Sequence, residues 1–195
     1  MKTYVIAGAG ARGRFMFALP LVTEWKHAAK LAGIYDMNLH RAHLLSKECG
    51  EVPVYADFDE MLQAAKPDTV IVATTDSTHH HYIIRALEAG CDVITEKPLT
   101  VDAEKCAAIL EAERRTGKRV TVTFNARFAP YPARIKKLLA DGAVGKPLHV
   151  NLEWHLDRSH GADYFRRWHR LIERSGGLLV HKATHHFDLV NWWLG

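Results

Sequence analysis

The sequence predicts an α/β protein whose main body is a doubly wound parallel sheet, followed by the start of a second, α+β domain. Three observations predict it. Fully apolar runs alternate with helical patterns through roughly the first 120 residues, as in a sheet covered on both faces. A glycine turn, Gly8-Ala9-Gly10-Ala11-Arg12-Gly13, follows the first apolar run, and an acid, Asp36, closes the second. Beyond residue 123 the pattern shifts to alternating apolar and polar residues, the mark of an antiparallel strand with one wet face.

The elements follow in order. Residues 4–7 form a strand, and a helix starts near Arg12 behind the glycine turn. A strand over 31–35 leads to a helix over 39–50, a short strand over 52–55 and a helix over 57–65. Pro67-Asp68 punctuate the chain before a buried strand over 69–73. A helix over 79–89 is closed by Gly90, a strand spans 91–95, and a helix from Val101-Asp102 ends at Gly117. A last strand over 119–123 completes a first domain of residues 1–123. Residues 125–132, with Pro130 and Pro132, read as a connector, and 133–140 as a helix stopped by Asp141-Gly142. Residues 148–155 alternate as a half-exposed strand. Gly176-Gly177 then open a short apolar segment and a helix. One strand and a helix or two make no stable second layer. Residues 124–195 are therefore expected to be an incomplete second domain, and the chain an N-terminal part of a longer protein.

Strand, glycine turn, helix, strand and acid make the layout of a dinucleotide-binding βαβ unit. Gly8 lets the chain leave the strand sharply, Gly10 lets a pyrophosphate approach the backbone, and Gly13 lets the helix pack close to the sheet. The helix start at Ala11 and Arg12 offers unpaired N–H groups and a positive dipole end to the phosphates. Asp36 lies near the ~20-residue spacing of the acid that binds the adenosine ribose. Its carboxylate repels a 2′-phosphate, which favours NAD over NADP, while Arg41 works the other way.

Bulk properties exclude several classes. The 195 residues are 48% hydrophobic and 25% charged, ordinary values for a globular protein. The net charge of +4 is spread over separate pairs such as Arg114-Arg115 and Lys136-Lys137, with no basic arm, so no nucleic-acid partner is expected. Cys49, Cys91 and Cys106 are too few for a disulfide scaffold and fit a reducing, cytoplasmic setting. No apolar run reaches the ~18 residues of a membrane helix, so no membrane partner is expected. Lys2 and the apolar run after it loosely resemble a signal peptide, but Arg12 and Arg14 interrupt the run and a first strand explains it better.

Four further segments carry chemistry. Glu96-Lys97-Pro98 follows a strand end, where ligands bind in doubly wound sheets, and Pro98 confines Lys97 to extended geometry. Thr74-Thr75-Asp76-Ser77-Thr78-His79 follows another strand end. There Asp76, Thr78 and His79 could reach the cofactor ribose, or Asp76 or Ser77 could cap the next helix. His80 and His81 read as surface or packing residues. His181 and His185 share a helical face at i, i+4. Zinc can use that spacing, but no Glu follows His181 and no third ligand is identifiable, so no metal is expected and proton transfer is the better reading. Asp157, Arg158, His160, Asp163, Tyr164, Arg166, Arg167, Trp168 and His169 crowd one loop. Polar groups beside aromatics suit a polyhydroxylated ring, or equally a solvated interdomain or oligomer contact.

Taken in this order, the segments resemble the Gfo/Idh/MocA family (glucose–fructose oxidoreductase, inositol dehydrogenase, rhizopine catabolism). Gly8 to Gly13 is similar to its cofactor turn, Glu96-Lys97-Pro98 to its signature tripeptide, Asn125-Ala126-Arg127-Phe128 to its interdomain segment, and Gly176-Gly177 to Asp188 to its active-site segment. The resemblance implies a Rossmann domain followed by a larger domain with an open, mostly antiparallel sheet that commonly forms the interface of a dimer or tetramer. It implies that Lys97 contacts the reacting hydroxyl and that His185 exchanges a proton with it. His181 stands where many members have Asp, a departure from the family's Lys–Asp–His relay. Thr74, Thr75, Asp76, His79, Glu96, Lys97 and Asn125 join the expected cofactor contacts, and Lys97, Arg127, Trp168, His181 and His185 are the expected substrate contacts.

The expected activity is hydride transfer between a nicotinamide cofactor and a ring secondary alcohol of a sugar, cyclitol or derivative. Losing a hydride from carbon requires losing a proton from oxygen, so the protein must supply a base. Free histidine titrates near working pH, whereas lysine needs burial or a nearby cation. His185 is therefore the expected principal base and Lys97 the group that orients the hydroxyl, the reverse assignment staying open. Two other functions share the residues: a glycosidase or epimerase that oxidises its substrate transiently, and a non-catalytic ligand sensor. A sensor is expected to have lost Lys97 or His185, and both are present. Catalysis by the 195-residue piece alone is left open.

Overall fold

The structure, a computed structural model, describes residues 1–155, Ala162 and 164–195. Asp157, Arg158, His160 and Asp163 of the polar loop lie outside the described residues. The chain divides into two compact units, Met1–Val122 and Thr123–Gly195.

The first unit is built on a six-stranded sheet. Its strands are β1 (Lys2–Ala7), β2 (Ala29–Tyr35), β3 (Val54–Tyr55), β4 (Thr69–Val72), β5 (Asp92–Glu96) and β6 (Val120–Thr123), in spatial order β3-β2-β1-β4-β5-β6. β1 pairs in parallel with β2 on one side, Ile6 opposite Ile34, and with β4 on the other, Ile6 opposite Ile71. The chain therefore reverses its direction of travel across the sheet beside β1. That reversal opens a crevice beyond the carboxyl ends of the strands.

Side chains alternate across the pleat. Val5, Ala7, Val70, Val72 and Val93 pack with Phe58, Met61, Ile83, Leu87 and Ile109 on one face. Ile6, Ile34 and Ile71 pack with Ala18, Ala42 and Leu45 on the other. The helices supplying these residues are capped as their sequences require. Asn38 accepts from the Arg41 N–H before α2 (Leu39–Glu48), Asp57 from Glu60 before α3 (Phe58–Ala65), and Asp102 from Lys105 before α5 (Ala103–Thr116). Gly117 closes α5 in the left-handed conformation.

The helix behind the glycine turn is wound as a π-helix over Gly13–Ala18 and tightens into a short α-helix, α1, over Leu19–Val22. Pro20 gives a physical reason. Its ring lacks an N–H and crowds the preceding turn, which a wider turn relieves.

The second unit departs from expectation in three places. Pro130 and Pro132 open the helix α6 (Pro130–Ala140) rather than lying in a connector. At a helix start the missing proline N–H had no intrahelical partner to lose. Residues 148–155 form no strand, and Leu148 is almost fully exposed. Strand geometry needs a hydrogen-bonded neighbour, and among the described residues none pairs with this segment. Finally, His181 and His185 do not share one continuous helix. α7 (Ile172–Ser175) and α8 (Gly177–His181) are separated by Gly176 in the left-handed conformation, and α8 ends at His181. His185 belongs to α9 (Thr184–Leu194). A turn at Lys182-Ala183, whose two amides both donate to the Leu178 carbonyl, separates the two helices.

Candidate functional site

In the first unit the three glycines of the turn behave differently. Gly8 has φ +106°, and a Cβ there would lie 2.4 Å from the Ala73 carbonyl oxygen. A Cβ on Gly13 would lie 1.9 Å from the Gly8 carbonyl oxygen, so the helix can approach the strand only with glycine at 13. A Cβ on Gly10 would meet nothing within 4 Å. Packing within the protein thus requires Gly8 and Gly13 but not Gly10. Open backbone at Gly10, beside the first-turn N–H groups of Ala11, Arg12 and Gly13, fits a pyrophosphate.

Asp36 is buried at the tip of β2. One carboxylate oxygen accepts from the Ala9 N–H at 2.8 Å, the other from the Asn38 N–H at 2.8 Å. Arg41 approaches the Ala9-bound oxygen at 3.6 Å. A carboxylate has about four acceptor sites, so two remain for ribose hydroxyls. The acid expected to hold the ribose also holds the glycine turn, and Gly8 adds a second tie by donating to the Tyr35 carbonyl.

Beyond β4, Thr74 and Thr78 share a hydroxyl–hydroxyl bond of 2.9 Å, and the Thr78 hydroxyl donates to the Thr75 carbonyl. Asp76 is buried in the 3-10 turn Asp76–Thr78. The residue at the N-cap of α4 (His79–Glu88) is Thr78, whose side chain makes no cap bond. His79 differs from expectation as well. Its ring is fully buried, with Nδ1 at 2.9 Å from the Pro98 carbonyl oxygen and Nε2 at 3.2 Å from that of Thr74. It faces the protein interior, with both ring nitrogens on backbone carbonyls.

Beyond β5, Glu96 and Lys97 are both buried, although lysine is rarely so. The Lys97 backbone N–H donates to the Glu96 carboxylate at 3.2 Å, and the Lys97–Pro98 peptide is cis. Gly10, Asp36, Thr74, Thr75, Asp76 and Lys97 thus all stand beyond the carboxyl ends of β1, β2, β4 and β5.

In the second unit, Asn125 opens a 3-10 turn, Asn125–Phe128. Arg127 in that turn grips Asp188 of α9 with two nitrogens, Nε at 2.7 Å from Oδ2 and a terminal nitrogen on Oδ1. Asp188 raises the guanidinium's pKa, first by the hydrogen bond and then by its charge. Arg127, expected on the substrate, is therefore paired with a buried acid. His185 lies on the same helix as Asp188, its ring edge-on to Phe124 at 6.0 Å. Tyr164, Trp168, His169 and His181 form one cluster. Trp168 stacks on His169 at 3.9 Å, and His181 sits edge-on to Trp168 at 5.5 Å and 4.8 Å from His169. Trp168 and His181 are thus brought together. Asp188 escaped the sequence reading. The signal was an acid inside the apolar run Phe187-Asp188-Leu189-Val190, which demands a partner.

Among the described residues, no group of three His, Cys, Asp or Glu could hold a metal ion. Among them, too, no helix is long and apolar enough to cross a membrane.

Residues 2–124 match the family model described as "Oxidoreductase family, NAD-binding Rossmann fold". Residues 136–195 match that described as "Oxidoreductase family, C-terminal alpha/beta domain". Among curated proteins, "Putative oxidoreductase YteT" of Bacillus subtilis (strain 168) is 44% identical over 200 residues, spanning 100% of this chain and 47% of that protein. The scyllo-inositol 2-dehydrogenase (NAD(+)) of the same organism is 33% identical over 190 residues, spanning 97% of this chain and 53% of its own length. The chain thus spans about half the length of the curated relatives it matches. In fold, it is similar to the WlbA dehydrogenase from Bordetella pertussis, solved with NADH and UDP-GlcNAcA. The TM-score is 0.85 at 23% identity, covering 100% of this chain and 55% of that one.

Proposed function

Because this chain belongs to the Gfo/Idh/MocA oxidoreductase family and its first unit is an NAD-binding Rossmann domain, we propose that it is the cofactor-bearing part of a dehydrogenase acting on a ring secondary alcohol of a cyclitol or sugar derivative. The observation that carries this reading is Lys97, a buried lysine beyond β5 in the sheet whose Gly10 backbone and Asp36 carboxylate fit a dinucleotide.

Bound NAD supplies the hydride acceptor at the nicotinamide ring. The chain's residues bind and orient. The N–H groups at Ala11, Arg12 and Gly13 take the pyrophosphate, and Asp36 takes the adenosine ribose. Thr74, Thr75, Asp76, Glu96 and Asn125 hold the remainder. The Lys97 amine donates to the reacting oxygen and fixes its direction. A ring nitrogen of His185 takes the hydroxyl proton. His181 and Trp168 contact the sugar ring, whose C–H face suits an indole. The likeness to inositol dehydrogenases supports a cyclitol or sugar. The carboxylate of Asp36 supports NAD over NADP. The sparse free cysteines support a reducing cytoplasm, and the family's second-domain sheet supports a homo-oligomer, for the whole protein.

The test is a screen of inositols, hexoses and their acid derivatives with NAD and NADP, following reduced cofactor by absorbance. Net reduction that disappears in Lys97→Ala and in His185→Ala is the expected result. Substrate turnover without net reduction assigns the chain to transient-oxidation enzymes instead. Ligand binding with neither makes it a sensor.

A further inference from the structure

His79 is fully buried at the first position of α4, yet it contacts two loops that carry the proposed site. Its Nδ1 meets the carbonyl of Pro98, the residue after Lys97, and its Nε2 meets the carbonyl of Thr74. β4 and β5 pair from Thr69 opposite Asp92 to Val72 opposite Thr95. Thr74 and Pro98 lie just beyond that last pair, where the ladder stops. The imidazole bridges them. Both contacts are backbone acceptors, so a neutral ring donates to one of them, from Nδ1 or Nε2 according to tautomer, and only the imidazolium donates to both. An apolar side chain would fill the volume but offer neither carbonyl a donor.

The position along the crevice gives the bridge its meaning. Asp36 marks the adenosine side, at the tip of β2, and Gly10 marks the pyrophosphate, beyond β1. The remaining half of a dinucleotide then extends over the tips of β4 and β5, on the far side of β1 from β2. Those are the two tips that His79 joins. We infer that His79 is a positioning residue: it holds the Thr74 and Lys97–Pro98 loops at a fixed separation, and so shapes the nicotinamide half of the cofactor site without touching the cofactor. The inference rests on the dinucleotide reading of the crevice.

The test compares NADH with ADP-ribose, which lacks the nicotinamide, by calorimetric titration of the 195-residue chain. His79→Leu removes both contacts. His79→Asn places its amide nitrogen near the position of Nδ1 and keeps the Pro98 contact, whereas His79→Gln reaches the position of Nε2 and keeps that to Thr74. Leu and Gln variants are expected to bind NADH about tenfold more weakly while ADP-ribose affinity stays within about threefold. The Asn variant is expected to bind NADH within about threefold of wild type, because it keeps the contact next to Lys97. If Leu does not fold, the Asn and Gln variants decide the matter between them. Equal loss for both ligands, no loss for either, or Asn no better than Gln overturns the inference. A wild-type chain that binds ADP-ribose but not NADH, or neither, overturns the crevice reading itself, and the inference with it.

Discussion

Arg127 and Asp188 stand 61 residues apart in sequence and meet in a two-pronged ion pair. The acid is almost wholly buried, and the guanidinium is about one-third exposed beneath Phe124 and Trp192. Asp188→Ala removes the anion and leaves a partly desolvated cation against two aromatic rings. We expect a loss of about 3 kcal/mol in the unfolding free energy of the second unit. Urea denaturation followed by tryptophan fluorescence reads this, since Trp192 and Trp193 lie on the same helix. A loss below about 1 kcal/mol, the range of an exposed pair, would contradict the geometry.

Gly13→Ala and Gly10→Ala should separate folding from binding. At 13 the new methyl collides with backbone at Gly8, so about 1–3 kcal/mol of stability should go, as in overpacked cores. At 10 the methyl meets no protein atom, so the melting temperature should hold. It would occupy the space proposed for the pyrophosphate, and NADH affinity should fall tenfold or more, about 1.4 kcal/mol. Thermal melts and NADH titration of both variants check the pair, and a destabilised Gly10→Ala is the outcome that contradicts it.

The three thiols should be slow to react. Burial raises the pKa of Cys49, Cys91 and Cys106, and in each case it is the largest cause. Glu48 adds to the effect at Cys49 and Asp102 at Cys106. Only the thiolate attacks, so iodoacetamide at mildly alkaline pH should label the native chain far more slowly than the chain in guanidinium. Mass spectrometry counts the adducts, and labelling at a free-thiol rate would sink the prediction.

Acidification should weaken the fold through His186 and His80. Burial and then Lys182 lower the pKa of His186, and burial and then Lys105 lower that of His80, from an ordinary value of 6.5. The unfolded chain then binds protons that the folded chain refuses. Stability is full above about pH 6.5 and declines as the pH falls through that value. Melting curves between neutral and mildly acidic pH should show the decline. It should shrink in His186→Phe, which keeps an aromatic ring against Trp154.

Much of the first unit was legible because apolar runs and glycines leave few alternatives. The strand cores lie where hydrophobic runs predict them, and Asp57 and Asp102, read as the starts of helices, stand one residue ahead of them as N-caps. Boundaries moved by a residue or two, since hydrogen bonding and not hydrophobicity decides where a strand ends. The second unit was less legible. Residues 148–155 have a strand's alternation, but alternation describes two faces and supplies no neighbour. The i, i+4 spacing of His181 and His185 implied one helix, which the intervening turn breaks. His79 was expected at the cofactor because of its place beyond β4; its direction was decided by two carbonyls, one of them at Pro98, that no local pattern reveals. Asp188 could have been found by asking which cation matches an acid within an apolar run.

The tie between Asp36 and the Ala9 amide has an evolutionary corollary. A lineage moving toward a phosphorylated dinucleotide would be pressed to discard the acid that repels the extra phosphate, yet the same exchange would unfasten the bend from the tip of β2. Such a shift in preference should need a compensating change in the bend before or together with replacement of the acid, which makes coenzyme choice here a two-step problem and slow to drift.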